Sequence, residues 1–91
     1  SYADYIDELK DEIEDYSDYT DGYVYFASDS TITLNGNVYT QIAAKITDGK
    51  KTYYEYDFVR EINGYYMKIN VFTTDLSSVG ELIDILNGES R

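Results

Sequence analysis

Carboxylates near the start of the chain are the side chains that are best suited, by type and spacing, to catalysis or to ion and partner binding. Residues 1–21 contain nine acidic residues and one base, whereas residues 22–91 contain nine acidic residues and six bases. Seven of the acids recur every three or four positions, and we call them the acidic row: Asp4, Asp7, Glu8, Asp11, Glu14, Asp15 and Asp18. Such a row repels nucleic acid and anionic membranes, and it attracts cations and basic protein surfaces.

Few catalytic chemistries remain open to this sequence. It has no His and no Cys, which removes imidazole bases, catalytic triads, thiolate nucleophiles and the usual zinc sites. It also has neither a Walker loop nor a GxGxxG motif. A carboxylate pair could still hydrolyse a glycosidic bond, but 18 acidic residues make some pair inevitable. We therefore expect a protein that is not an enzyme and that uses no cofactor.

A calcium loop is the other chemistry that this segment suggests. Asp15, Asp18 and Asp21 are followed by Gly22, but an EF-hand needs acids two positions apart and a Glu at position twelve. Phe26 stands at that twelfth position. A solvated helix end is the simpler interpretation, so we predict no metal site, with weak divalent binding as the alternative.

A helix must hold the acidic row. An apolar stripe runs through the same segment in a different phase, and its members are Tyr2, Ile6, Leu9, Ile13 and Tyr16. The two patterns predict an amphipathic helix over residues 1–20 that ends near Asp21-Gly22. Lys10 and Glu12 fall outside the row. Acids that repel one another at this spacing each cost about 0.3 kcal/mol, so packing must hold the helix.

Residues 22–73 change to a period of two, which predicts an antiparallel meander of about five strands. The inward positions are predicted to be Val24, Phe26, Ile32, Leu34, Val38, Ile42, Ala44, Ile46, Tyr54, Tyr56, Phe58, Met67, Ile69 and Val71. Asn63-Gly64 predicts a two-residue hairpin loop. If all apolar side chains share one face, alternation requires three-residue loops at 35–37 and 48–50. Leu34 would then lie opposite Val38, and Ala44 opposite Tyr54.

The helical period returns in residues 75–87. Ser78 and Glu81 fit a capping box, with Asp75 as an alternative cap, and Asn87-Gly88 predicts the stop. The predicted buried face consists of Leu76, Val79, Leu82, Ile83 and Leu86. Residues 1–91 are therefore predicted to form one α+β domain with both helices on one face of the sheet. The other face is predicted to carry Tyr23, Tyr25, Tyr39, Tyr53, Glu55, Asp57 and Tyr66.

In its general character the acidic row resembles small acidic phage proteins that mimic DNA and block nucleic-acid enzymes. The resemblance implies a basic protein surface as partner, such as that of a nucleic-acid-binding enzyme, and no direct contact with nucleic acid. The contacts would be the seven carboxylates of the row. The plain alternative is that the row is only the solvent face of a helix in an acidic protein.

Tyrosine supports a second interpretation, because the chain has 12 Tyr and no Cys. In this it looks like extracellular domains of Gram-positive bacteria. Such a domain would bind carbohydrate or protein through a sheet face with Tyr23, Tyr25, Tyr39, Tyr53 and Tyr66, unless these are ordinary cross-strand pairs. No stretch is long and apolar enough to enter a bilayer. We expect the cytoplasm of a host cell, with secretion as the alternative.

Overall fold

The computed structural model describes residues 1–20 and 22–88, and the side chains of all of these except 16–20. An N-terminal helix, a five-stranded antiparallel sheet and a short C-terminal helix confirm the predicted α+β fold. The elements are α1 (Tyr2–Thr20), β1 (Tyr23–Phe26), β2 (Ser30–Leu34), β3 (Asn37–Asp48), β4 (Lys51–Ile62), β5 (Tyr65–Thr73) and α2 (Ser77–Leu86). The side chain of Tyr16 and the predicted stop at Asp21 lie outside the described residues.

Strands β1 and β2 lie end to end along the same edge of β3, so the sheet is four strands wide. β1 pairs with β3 as far as Phe26 opposite Ala44, and β2 resumes the pairing with Ser30 opposite Gln41. Three residues on the edge therefore oppose two on β3, so one extra residue interrupts the pairing, as in a β-bulge. The extra residue reverses the face to which even-numbered side chains point, so Phe26 and Ile32 lie on opposite faces of the sheet.

Each helix covers its own face of the sheet, so the prediction that both cover one face is wrong. On one face, α1 packs Ile6, Leu9 and Ile13 against the buried residues Ile42, Ala44, Ile46 and Val59. On the other face, α2 packs Val79 against the buried residues Leu34, Tyr39 and Phe58. The sheet thus separates two apolar cores, and its central strands are buried on both sides.

Both Asn-Gly dipeptides form two-residue hairpin loops. The backbone angle φ is +50° at each Asn and +81° at each Gly, as a type I′ turn requires. The loop at Asn63-Gly64 confirms the prediction. At Asn35-Gly36 the predicted three-residue loop is wrong, because Leu34 lies opposite Asn37. Val38, which was predicted to point inward, is exposed.

The loop between β3 and β4 also has two residues, Gly49-Lys50, and the predicted three-residue loop is wrong. Asp48 lies opposite Lys51, and Gly49 has a φ of +60° at the first loop position, as in a type II′ turn. Ala44 consequently lies opposite Glu55 rather than Tyr54. The prediction required all apolar side chains to share one face, and a sheet that is buried on both faces does not obey that condition.

This register can be tested with a disulfide, because the chain contains no Cys of its own. Thr47 and Thr52 are direct cross-strand partners, so their Cα atoms should be about 4.5–5.5 Å apart, within the range that a disulfide spans. We expect Thr47→Cys/Thr52→Cys to cross-link almost completely under mild oxidation, as measured by mass spectrometry. The control is Thr47→Cys/Lys51→Cys, because these two positions would lie opposite each other only if the loop had three residues. Faster cross-linking of that control would contradict the register.

Helix α2 begins differently from the prediction. Ser78 lies inside the helix, and the N-cap position, Leu76, makes no side-chain capping bond, so the predicted capping box with Glu81 is wrong. The alternative cap, Asp75, accepts hydrogen bonds at Oδ1 from the Ser77 backbone N and Oγ, at 3.0 and 2.8 Å. Leu76 is also exposed, although it was predicted on the buried face. The end of the helix confirms the predicted stop.

Candidate functional site

The outer face of α1 presents the acidic row to solvent. Ile6, Leu9 and Ile13 are buried against the sheet. The exposed acids of the helix include six members of the row: Asp4, Asp7, Glu8, Asp11, Glu14 and Asp15. The side chain of Asp18, the seventh member, lies outside the described residues. At 1.5 Å per residue, the six described members extend for about 16 Å along the helix axis.

Aromatic and polar contacts fix the first turns of α1 on the sheet. The Tyr2 hydroxyl donates a hydrogen bond to the Val59 carbonyl oxygen at 2.9 Å and lies 2.7 Å from Thr40 Oγ1. One turn later, the Tyr5 ring stacks on the Tyr66 ring with their centroids 4.6 Å apart. Aromatic pairs of this kind contribute about 0.5–1.5 kcal/mol beyond the area that they bury. The helix therefore presents its acids in a fixed orientation.

The two charged residues outside the row, Lys10 and Glu12, lie at the flanks of the helix and interact with the rest of the fold. Lys10 Nζ is 2.7 Å from Asp29 Oδ1, next to the bulge between β1 and β2. Glu12 lines a cavity beneath the helix together with Glu55. The one base of residues 1–21 is therefore engaged by a carboxylate that is not part of the acidic row.

The five tyrosines of the second interpretation do not share one face of the sheet, so that expectation is wrong. Tyr39 is buried in the core beneath α2. Tyr53 and Tyr66 lie on the α1 face, where Tyr66 stacks on the helix. Tyr23 and Tyr25 lie on the α2 face with 66% and 59% exposure. The two-residue loop between β3 and β4 explains this separation, because it places the odd-numbered positions of β4 opposite the even-numbered positions of β3.

Two carboxylates that were predicted on an open sheet face lie beneath α1 instead. Asp57 is 1% exposed, and its Oδ1 accepts a hydrogen bond from Asn70 Nδ2 at 2.6 Å. The same amide nitrogen is 3.4 Å from Glu55 Oε2. A cavity of about 210 Å³ between α1 and the sheet is lined by both carboxylates and by Glu12. The register predicted from the sequence did not reveal this cluster, because it assigned Glu55 and Asp57 to the opposite face.

The surroundings of the Glu55 carboxyl disfavour its ionised form. Burial raises its pKa above the ordinary value of 4.5, and the negative charge of Asp57 raises the pKa further. The Lys68 ammonium and the hydrogen bond from Asn70 lower the pKa, and Glu12 adds a smaller increase. The sum of these effects raises the pKa of Glu55, so its carboxyl is easier to protonate in the folded protein than in the unfolded chain.

Among the side chains of residues 1–15 and 22–88, no group of three or more acidic, His or Cys residues is arranged to hold a metal ion. The buried side-chain nitrogen and oxygen atoms of this part of the chain all have hydrogen-bond partners. Two of the acids of the calcium alternative, Asp18 and Asp21, lie outside the described side chains. Neither of the described helices combines the length and the apolar character needed to cross a membrane.

A scan against protein-family models, a search of curated proteins and a search of solved structures each find no match for the chain. The feature that distinguishes its surface is the acidic row on α1.

Proposed function

We propose that this protein is a non-enzymatic interaction domain that binds a basic protein surface through the acidic row. The single observation that carries the proposal is the exposure of all six described members of the row on the face of α1 opposite Ile6, Leu9 and Ile13. A row of like charges lowers helix stability, whereas mixed Lys and Glu would give the same solubility without that cost. The presence of a row that lowers helix stability therefore supports a binding role.

The partner that we propose is a protein surface that normally grips nucleic acid. Successive turns of a helix are about 5.4 Å apart, and successive phosphates of one DNA strand rise by about 3.4 Å, so the two spacings agree within a factor of two. Carboxylates along α1 can therefore occupy neighbouring Lys and Arg sites on such a surface. The net charge of −11 would repel nucleic acid itself and would accelerate encounter with a basic protein.

The proposal predicts that charge reversal in the row weakens binding. The partner is first recovered from bacterial lysate at low salt, and high salt or competing duplex DNA should release it. We then expect Glu8→Lys/Asp11→Lys to weaken its affinity by about tenfold to a hundredfold, because two ion pairs at the centre of the contact become repulsive. Affinity is measured by calorimetry, and circular dichroism checks that the fold is retained.

The matched control is Glu61→Lys/Glu81→Lys, which changes the net charge equally at exposed positions outside the row. We expect this control to retain nearly wild-type affinity. An equal loss in both variants would show that only the overall charge matters. Unchanged affinity in the row variant would mean that the row is a solvent face and would contradict the proposal.

The second candidate function is carbohydrate or protein binding on the α2 face, where Tyr23 and Tyr25 are exposed side by side. Their ring centroids are 6.3 Å apart, so both rings can contact one ligand. Stacking on such rings does not depend on charge. Recovery of a partner that neither salt nor duplex DNA displaces would favour this function over the acidic row.

A further inference from the structure

Among the described residues, Asp57 is the charged side chain that is buried, and it lies at the contact between α1 and the sheet. It shares its face of β4 with Glu55, two positions away, and one amide, that of Asn70, reaches both carboxylates. Asn70 Nδ2 is 0.8 Å closer to Asp57 than to Glu55 by these two distances. The amide hydrogen bond therefore offsets the desolvation of the Asp57 carboxylate well and that of the Glu55 carboxylate poorly. Glu55 is consequently the group whose protonation stabilises the contact.

We propose that the attachment of α1 to the sheet is linked to one proton. Glu55 takes up this proton from solvent as the pH falls, and α1 packs more tightly against the sheet in the protonated state. This linkage is independent of the acidic row, whose members lie on the other side of the helix.

The charges around Glu55 determine the direction of the effect. Glu12 faces it from α1, Asp57 lies on the same strand, and Lys68 and Asn70 face it from β5. Its neighbour on β3 is Ala44, which carries no charge. Ionisation of Glu55 therefore leaves a charge in the partly buried contact beneath α1 and adds a smaller repulsion from Glu12 across that contact.

The pH window follows from the raised pKa of Glu55. Below about pH 4.5 the carboxyl is protonated in both the folded and the unfolded chain, so the stabilisation is fully present. As the pH rises above this value, the carboxyl of the unfolded chain ionises first and the folded state loses stability. The loss is complete once the folded carboxyl has ionised as well.

Hydrogen exchange measured by mass spectrometry tests the linkage, with α2 as an internal reference for the intrinsic exchange rates. We expect the protection of α1 relative to α2 to fall about threefold to tenfold between pH 4 and pH 7.5 in the wild type. Glu55→Gln keeps an acceptor for Asn70 but cannot ionise, so its ratio of α1 to α2 protection should fall with pH clearly less than that of the wild type. We expect its Tm to exceed that of the wild type by about 3 °C at pH 7.5 and to equal it at pH 4.

Glu8→Gln is the matched control, because it makes the same chemical change on the outer face of α1. It should retain the pH dependence of the wild type. Glu12→Gln removes one of the carboxylates that face Glu55 and should reduce the fall in α1 protection. The proposal is overturned if the wild-type ratio is constant with pH, or if Glu55→Gln and Glu12→Gln both retain the full wild-type response.

Discussion

Replacing Phe58 by Ala should lower the free energy of unfolding by about 3–5 kcal/mol. Phe58 is 0% exposed and lies in the core between the sheet and α2, where it packs with Leu34, Tyr39 and Val79. Truncation removes the transfer free energy of a whole ring and leaves a cavity that the paired strands cannot close. Small domains have a total stability of about 5–15 kcal/mol, so this single change removes a large part of it. Urea denaturation followed by circular dichroism measures the loss.

Phe72→Ala is the matched control, because it removes the same atoms from a residue of the same sheet that is 44% exposed. Phe72 stacks on Tyr53 with ring centroids 5.4 Å apart, so we expect a loss of about 1 kcal/mol. Equal losses at positions 58 and 72 would contradict the burial of Phe58 beneath α2 and, with it, the two-sided sheet.

Leu9→Ala should have the second largest effect, with a loss of about 3 kcal/mol. Leu9 is buried at the centre of the α1 contact, between Ile6 and Ile13. Repulsion within the acidic row lowers the intrinsic stability of the helix, so α1 depends on this contact more than a helix of mixed charge would. We expect helical circular dichroism to decrease at a lower urea concentration than the near-ultraviolet signal of the sheet tyrosines.

Leu76→Ala is the control for this truncation, because Leu76 is about half-exposed at the start of α2. Leu76→Ala should lower the free energy of unfolding by less than about 1 kcal/mol, because this side chain buries little apolar surface on folding. A larger loss at Leu76 than at Leu9 would show that α1 is not held by its apolar stripe.

Local patterns predicted the elements of this fold correctly. The phase of the acids and apolar residues in α1 follows from the helical repeat alone, and Asn63-Gly64 forms the two-residue turn that its sequence predicts. The exposure of the described part of the acidic row could be predicted for the same reason. Each of these features is determined within one or two turns of chain, where no distant contact intervenes.

The pairing register could not be obtained in this way, because it depends on how many faces of the sheet are buried. Three consecutive residues of β3, Ile42, Ala43 and Ala44, are buried, and so are Phe58 and Val59 of β4. Consecutive apolar residues are typical of strands that are covered on both sides, so the sequence carried this signal. The bulge between β1 and β2 left no comparable pattern. The Glu55–Asp57 cluster was missed because its position depends on the register.

Neighbouring strands that are joined by two-residue loops can pair before distant parts of the chain meet. The three hairpins from β2 to β5 have such loops, whereas the Tyr2 hydroxyl reaches Thr40 and Val59 across 38 and 57 residues. Closing the longer loops costs more chain entropy, so we expect the hairpins to form the folding nucleus and α1 to join after the rate-limiting step. Weakening of the α1 contact should then accelerate unfolding far more than it slows folding.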